Sequence, residues 1–288
     1  MKTIKSMGVI NITPNSFSDG NLYNSAKSFQ EKFYKLSDWS DIIDIGAEST
    51  APKNDEVSAI EEWRRFESIL TPYLSYHHPF KSLSIDTYKP EVFYEVYHLV
   101  KSYWPQTKII FNDVSGIIDS DLLSLFNDKK LKFDYVLCHN RVKDRADVQN
   151  HMKRVSRDSN ENLLIELIMF FNNSLERLSK TKRKIIVDPC FGFAKTRSQN
   201  HYLLKNINKL ISSLNKNTPF LYGISRKSFL RFPKDLDSKN EHNQRSLDQM
   251  QAILIHKIIQ ENFDREFIFR LHDEGSLISA LNIDKILR

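Results

Sequence analysis

Eight short apolar runs punctuate the chain, each with a polar or small residue at or next to its end. They are GVINI (8–12), DIIDIG (41–46), SLSID (82–86), KIIFND (108–113), DYVLCHN (134–140), KIIVD (184–188), PFLYGIS (219–225) and EFIFRLHD (266–273). The runs are continuous rather than alternating, the pattern of strands covered on both faces, as in a parallel sheet. Between them apolar positions recur at helical spacing. Val57, Ile60, Trp63, Phe66 and Leu70 follow a period near 3.6, and residues 90–103, 161–178 and 246–260 behave alike. Lys89-Pro90 places a proline in a first helical turn, and Asp55 or Ser58 is available to cap the helix that follows. The aromatic pairs Phe29/Phe33, Trp63/Phe66 and Phe93/Tyr97 read as the faces by which helices pack on the sheet.

Landmarks near the run ends, at 11, 46, 86, 113, 139, 188, 224 and 271, lie 26 to 49 residues apart, room in each case for a crossover helix. Eight such units predict an α/β fold, a single (β/α)8 TIM barrel occupying residues 1–288 as one domain. An open doubly wound sheet fits less well, because no glycine-rich dinucleotide turn follows the first run. Residues 231–245, rich in Lys and Asn, read as a mobile insertion between strand seven and its helix.

Composition narrows the class. With 40% hydrophobic and 27% charged residues in 288, the chain can bury a core and is not of the disordered type. No apolar run approaches the ~20 residues of a membrane span, and the N-terminus lacks the apolar segment of a signal peptide. Two cysteines cannot build a disulfide framework, which suits a reducing cytoplasm. The charge is 42 − 36 = +6. The cations are scattered, so the balance suits an anionic small molecule better than nucleic acid. There are only 7 glycines, about a third of average usage. Asparagine, which tolerates positive φ, is expected to take glycine's place in loops.

A barrel of this kind carries its site at the C-terminal ends of the strands. Those ends hold Asn11, Asp44 with Glu48, Asp86, Asn112 with Asp113, His139, Asp188, Ser225 with Lys227, and Arg270 with His272. One aspartate at a strand end is commonly a helix cap; polar groups at eight strand ends argue for a shared mouth. Carboxylates and amides in such a mouth suit a flat heterocycle with several donors and acceptors, and the cations of the last two strands suit an anion.

The segments MGVINITPNSFSDG (7–20), DIGAEST (44–50), SIDT (84–87), NDVSG (112–116), DPCFGFAKT (188–196), GISRKSF (223–229) and RLHD (270–273) resemble those of the dihydropteroate synthases, in the same order and over nearly the whole chain. The resemblance implies a transferase of folate biosynthesis that joins 6-hydroxymethyl-7,8-dihydropterin pyrophosphate to 4-aminobenzoate and uses Mg²⁺. It assigns Asn11 to Mg²⁺ and the pyrophosphate. It assigns Asp86, Asn112, Asp188 and Lys227 to the pterin, with Arg270 lying against the pterin and, with His272, gripping the pyrophosphate. Thr50, Phe193 and Ser225 fall on the aminobenzoate side, with the loop around Phe17 and Asp19 closing over it. Sulfonamides, as aminobenzoate mimics, are expected to compete. The family's partners are these small molecules, and its members are commonly homodimers; neither nucleic acid nor membrane is implied.

The chain departs from the family pattern in its loops. Ala51-Pro52-Lys53 replaces an Arg-Pro-Gly, Asn21 a glycine, Asn140 and Val142 a methionine and a glycine, and Cys190 and Ala194 two further glycines. Lys53 is expected to supply the charge lost at Ala51. These departures leave two alternatives: a catalytically weak pterin-binding paralogue, and a methyltetrahydrofolate-type methyltransferase, against which the SRK and RLHD segments argue because methyl transfer has no pyrophosphate to hold. Cys138 and Cys190 read as small fillers. His77, His78, His98, His201 and His256 read as surface or packing residues, and His139 as the support of a neighbouring loop or of a ligand.

Overall fold

A computed structural model describes residues 4–12, 22–49, 56–155, 158–230, 241–261, 264–272 and 274–279. Eight strands run in chain order: β1 (Ile4–Asn11), β2 (Ile42–Gly46), β3 (Ser82–Asp86), β4 (Lys108–Asp113), β5 (Phe133–Cys138), β6 (Ile185–Asp188), β7 (Phe220–Tyr222) and β8 (Phe267–Leu271). Every neighbouring pair is parallel, and β8 pairs back to β1, so the sheet closes. The expected TIM barrel is the fold.

The strands alternate more than their sequences suggest. Met7, Ile42, Ile110, Val136, Ile186, Leu221 and Ile268 pack together inside the barrel. The residues of opposite parity, among them Ile43, Leu83, Phe111, Tyr135, Phe220 and Phe267, face outward and form the larger core with the helices. Both sets are apolar, so the runs look continuous even though each strand has two distinct faces.

The outer layer consists of α1 (Leu22–Ser37), α2 (Ala59–Tyr76), α3 (Pro90–Tyr103), α4 (Ser120–Asn127), α5 (Asn160–Leu178), α6 (Arg197–Lys205), α7 (Ile207–Ser213) and α8 (Glu241–Glu261). Four helix starts are fixed by side-chain oxygens on orphan amides. Ser58 caps α2; Asp119 and Ser159 cap α4 and α5; Thr196 and Gln199 form a reciprocal box at α6. Between β5 and α5 the chain makes a 3-10 excursion over Arg145–Arg154.

Four expectations need correction. β1 begins at Ile4, ahead of the predicted 8–12, because polar Ser6 is satisfied in place: its Oγ donates to the Trp39 carbonyl at 2.9 Å. α2 continues past Leu70 and through Pro72 to Tyr76, carried by the burial of Tyr73 and Leu74. Residues 241–245 already belong to α8, while 231–240 lie outside the described residues. Asparagine does not fill the left-handed positions. Among the described residues, positive φ falls on Lys182, Cys190, Ala194 and Arg226 besides Gly116 and Gly192.

Candidate active site

The upper inner face of the barrel is polar. By the same parity that points Ile42, Ile110, Val136, Ile186 and Ile268 inward, the residues two further along each strand are Asp44, Asn112, Cys138, Asp188 and Arg270. The register places Asn11, Gly46, Asp86 and Asn112 in one row across β1–β4. Gly46 leaves that row open: a Cβ there would lie 3.3 Å from the Asp86 Cβ.

Arg270 binds this side together. Its Nη2 donates to Asp86 Oδ2 at 2.6 Å, and its Nε lies 2.8 Å from Asp44 Oδ2. Asp44 is fully buried and also accepts from Asn112 Nδ2 at 3.2 Å, leaving Asn112 Oδ1 buried without a partner. That oxygen is an acceptor awaiting a donor. Burial, opposed by Arg270 and reinforced by Asp44, pushes the Asp86 carboxyl up to about 7.

Across the mouth, Asp188 Oδ1 accepts from the Cys190 amide at 2.7 Å. A methyl at Gly223 would lie 3.7 Å from Asp188 Oδ2 and 3.9 Å from Arg270 Cδ, so Gly223 marks the space that those two side chains border. Burial raises the Asp188 carboxyl above its ordinary range, against the Cys190 amide and the charges of Arg270 and Lys227. Lys227 stands 4.5 Å from the centroid of Phe193, its ammonium made less basic by burial. His272 Nδ1 lies 3.1 Å from Ser225 Oγ. Burial, with Arg270 next, holds His272 well below the usual imidazole range, so it is neutral here.

The pterin binding enzyme model matches residues 7–264. The dihydropteroate synthase of Staphylococcus haemolyticus is 30% identical over 232 residues, covering 80% of this chain and 78% of that protein. The type-3 dihydropteroate synthase of Escherichia coli is 28% identical over 292 residues, covering 98% and 99%. The structure of a Clostridium difficile dihydropteroate synthase, determined in the presence of pteroic acid, superposes with a TM-score of 0.75 at 27% identity, covering 99% of this chain and 97% of that one. The chain belongs to the dihydropteroate synthases of the pterin-binding enzyme family.

Not every polar residue that the sequence puts at a strand end of this synthase reaches the mouth. Asp113 and His139 have the opposite parity from Asn112 and Cys138 and turn outward. Asp113 accepts from the Tyr135 hydroxyl and Arg145 Nη1, both at 2.9 Å, in a buried tie that also takes in Ser115. His139 Nε2 meets Glu166 of α5 at 3.2 Å, and burial lowers its pKa to about 4; it ties the end of β5 to that helix. Glu48 accepts from the Val57 amide, the Tyr88 hydroxyl and Gln149, and pairs with Lys89, which also binds Glu62 at 2.9 Å. Asn140 is likewise structural: its Nδ2 donates to the Val114 carbonyl at 3.0 Å.

Phe17, Asp19, Asn21, Thr50, Ala51, Pro52 and Lys53 lie outside the described residues. Cys138 and Cys190 are buried free thiols. His77 packs on Tyr73 and hydrogen-bonds Tyr34 at 2.7 Å. His256 is a neutral core imidazole against Phe269, its pKa lowered by burial to about 3.

Sequence reasoning missed two residues that shape the site, Lys195 and His151, and the reach of a third. Asp44 was visible as a strand-end acid, yet nothing in the pattern showed that it would hold both Arg270 and Asn112. Lys195 is buried, and its Nζ donates to the carbonyls of His139, Phe193 and Cys190 at 3.0, 3.0 and 3.2 Å. Burial lowers its pKa to about 8. His151 lies against Phe193 from the 3-10 excursion, a contact with no local sequence signal.

Proposed function

We infer that this chain catalyses the dihydropteroate synthase reaction of folate biosynthesis, as a single-domain enzyme of the cytoplasm. 4-Aminobenzoate displaces pyrophosphate from the 6-methylene carbon of 6-hydroxymethyl-7,8-dihydropterin pyrophosphate, giving 7,8-dihydropteroate. The observation that carries the reading is the facing of Asp188 and Arg270 across Gly223, with Asn112 and Asp86 on the same inner face. The amino group and adjacent ring N–H of a pterin are two parallel donors for one carboxylate, the role of Asp188. Asn112 Oδ1, unpartnered, accepts a further donor. Asp86 serves the same ring, and Lys227 donates to the pterin's carbonyl and ring nitrogen. Each buried bond left unmade costs roughly 1–3 kcal/mol, so together they reject other heterocycles.

No enzyme nucleophile is required. As the C–O bond to the diphosphate breaks, the electron-rich ring supports positive charge on the methylene carbon, and the arylamine nitrogen then attacks it and loses a proton. Arg270 offsets the charge of the departing diphosphate, and His272, neutral, donates to it. Thr50, Phe193, Ser225 and Phe17 form the arylamine side. The chain's work is positioning and electrostatic stabilisation.

Mg²⁺ fits the donor set. This ion favours hard oxygen ligands and commonly binds through few protein groups, substrate phosphates and water. Asn11 offers an amide oxygen beside the gap at Gly46. Bound there with the diphosphate, the ion would neutralise the leaving group. Among the described residues no helix is long and apolar enough to cross a membrane. One face of α8 exposes Leu247, Met250, Leu254 and Ile258, spaced three and four apart, which supports a homodimer formed through this helix.

A pyrophosphate-release assay tests the reading. Release that needs both substrates and Mg²⁺, inhibited by sulfonamides in competition with 4-aminobenzoate, is the expected result. Pterin binding without release would refute the activity and leave a pterin-binding paralogue.

A further inference from the structure

Residues 190–194 form a tight turn after β6, with φ of +55° at Cys190, +82° at Gly192 and +49° at Ala194. Two of the three carry a Cβ, and such positions cost about 1–3 kcal/mol each and persist only where the surroundings enforce them. Four groups do so here. Asp188 accepts from the Cys190 amide, and Asn200 Oδ1 accepts from the Gly192 amide at 2.8 Å. Lys195 draws in the carbonyls of Cys190 and Phe193. The fourth comes from another part of the chain: His151 Nδ1 accepts from the Ala194 amide at 3.3 Å. The same imidazole lies against the ring of Phe193, with centroids 4.5 Å apart and planes 30° apart, and only 2% of it is exposed.

We propose that His151 is a positioning residue for the arylamine substrate, setting the tilt of Phe193 and through it the fit of 4-aminobenzoate. The proposal rests on the reading of Phe193 as a wall of the arylamine pocket. His151 acts in two ways. Its ring supports the phenyl group directly. Its Nδ1, held as an acceptor by the Ala194 N–H, fixes the backbone immediately after Phe193 and thereby the direction in which that side chain leaves the turn. Lys227 also contacts the Phe193 ring and Asp188 holds the opposite end of the turn at Cys190, so a tilt at Phe193 reaches the pterin side only through one flexible ammonium and the far end of the turn. The arylamine side therefore bears most of the effect.

The test is calorimetric binding of 4-aminobenzoate to the full chain saturated with 6-hydroxymethylpterin and magnesium pyrophosphate. The variants are H151F, which keeps a ring but loses the acceptor, H151Q, which keeps an acceptor but loses the ring, and F193L. Both His151 variants should weaken 4-aminobenzoate binding about three- to tenfold, the range of one aromatic pair. Their affinity for 6-hydroxymethylpterin should stay within about twofold, a split that a merely structural role would not produce. Unchanged 4-aminobenzoate affinity in both His151 variants, with F193L weakened, overturns the proposal alone. So does equal loss for both ligands. Unchanged affinity in F193L, or no 4-aminobenzoate binding by the unsubstituted chain, overturns the reading of Phe193 and this inference with it.

Discussion

Asp188→Asn should separate stability from binding. The carboxylate sits on the inner face at 4% exposure, with Oδ1 committed to the Cys190 amide and Oδ2 bordering the space beside Gly223. An asparagine of the same shape can keep the Cys190 bond through its oxygen. Its NH2 then faces the pocket and meets the pterin's donors with another donor. The ring loses a charge-assisted hydrogen bond, about 1.5–3 kcal/mol, and leaves a buried donor unsatisfied, about 1–3 kcal/mol more. The expected loss of pterin affinity is thus about 3–5 kcal/mol, or roughly 10² to 10³-fold and beyond.

Stability should move the other way. The folded pKa of Asp188 lies above its ordinary 3.8, chiefly through burial. Such a carboxyl favours the fold fully below its unfolded pKa, and that contribution is lost as pH rises through the folded pKa. At neutral pH the ionised group is therefore a liability that the amide removes. Calorimetric titration with 6-hydroxymethylpterin and thermal melts from pH 4 to 8 measure both quantities. A pterin Kd within threefold of the unsubstituted chain, or a clear drop in melting temperature at pH 7, would refute the reasoning.

Gly116 has φ +68°, and a Cβ there would fall 2.2 Å from the Cys138 carbonyl oxygen. Gly116→Ala should cost roughly 3 kcal/mol or more, read from urea denaturation, and a loss below 1 kcal/mol would contradict the clash. Glu166 is held at about 2: burial would raise it, but hydrogen bonds from Arg141 and His139 prevail. A lowered carboxyl stabilises the fold above its unfolded value near 4.5 and loses that contribution as pH falls towards 2. Glu166→Gln should flatten the acid limb of the stability profile between those values, and an unchanged limb in acid titration followed by circular dichroism would count against the pairing.

The strand and helix order was legible because a buried parallel sheet writes itself as short apolar blocks. β3 and β4 match their predicted spans residue for residue. Parity was not legible, because both faces of most strands are apolar lower down. Asp113 and His139 therefore looked equivalent to Asn112 and Asp188, although a single-residue offset sends them to opposite sides of the sheet. The helix extension past Pro72 was also hidden, since proline normally marks an end and only tertiary burial of Tyr73 overrides it. Long-range partners left the weakest trace. Nothing near Phe193 in sequence announces His151, and nothing near Arg270 announces Asp44, because such contacts depend on where whole strands and excursions land.

Among the described residues of the mouth, Asp44 and Asp86 pair with Arg270, and Asp188 lies within reach of the charges of Arg270, Lys227 and Lys195. Acids and bases interleaved in this way offset one another and spare the basin internal repulsion. A guest carrying naked diphosphate would tip that equilibrium, whereas one escorted by a divalent counter-ion disturbs it least. Under the function inferred above, a metal-complexed diphosphate would enter such a vestibule at less electrostatic cost than a bare one.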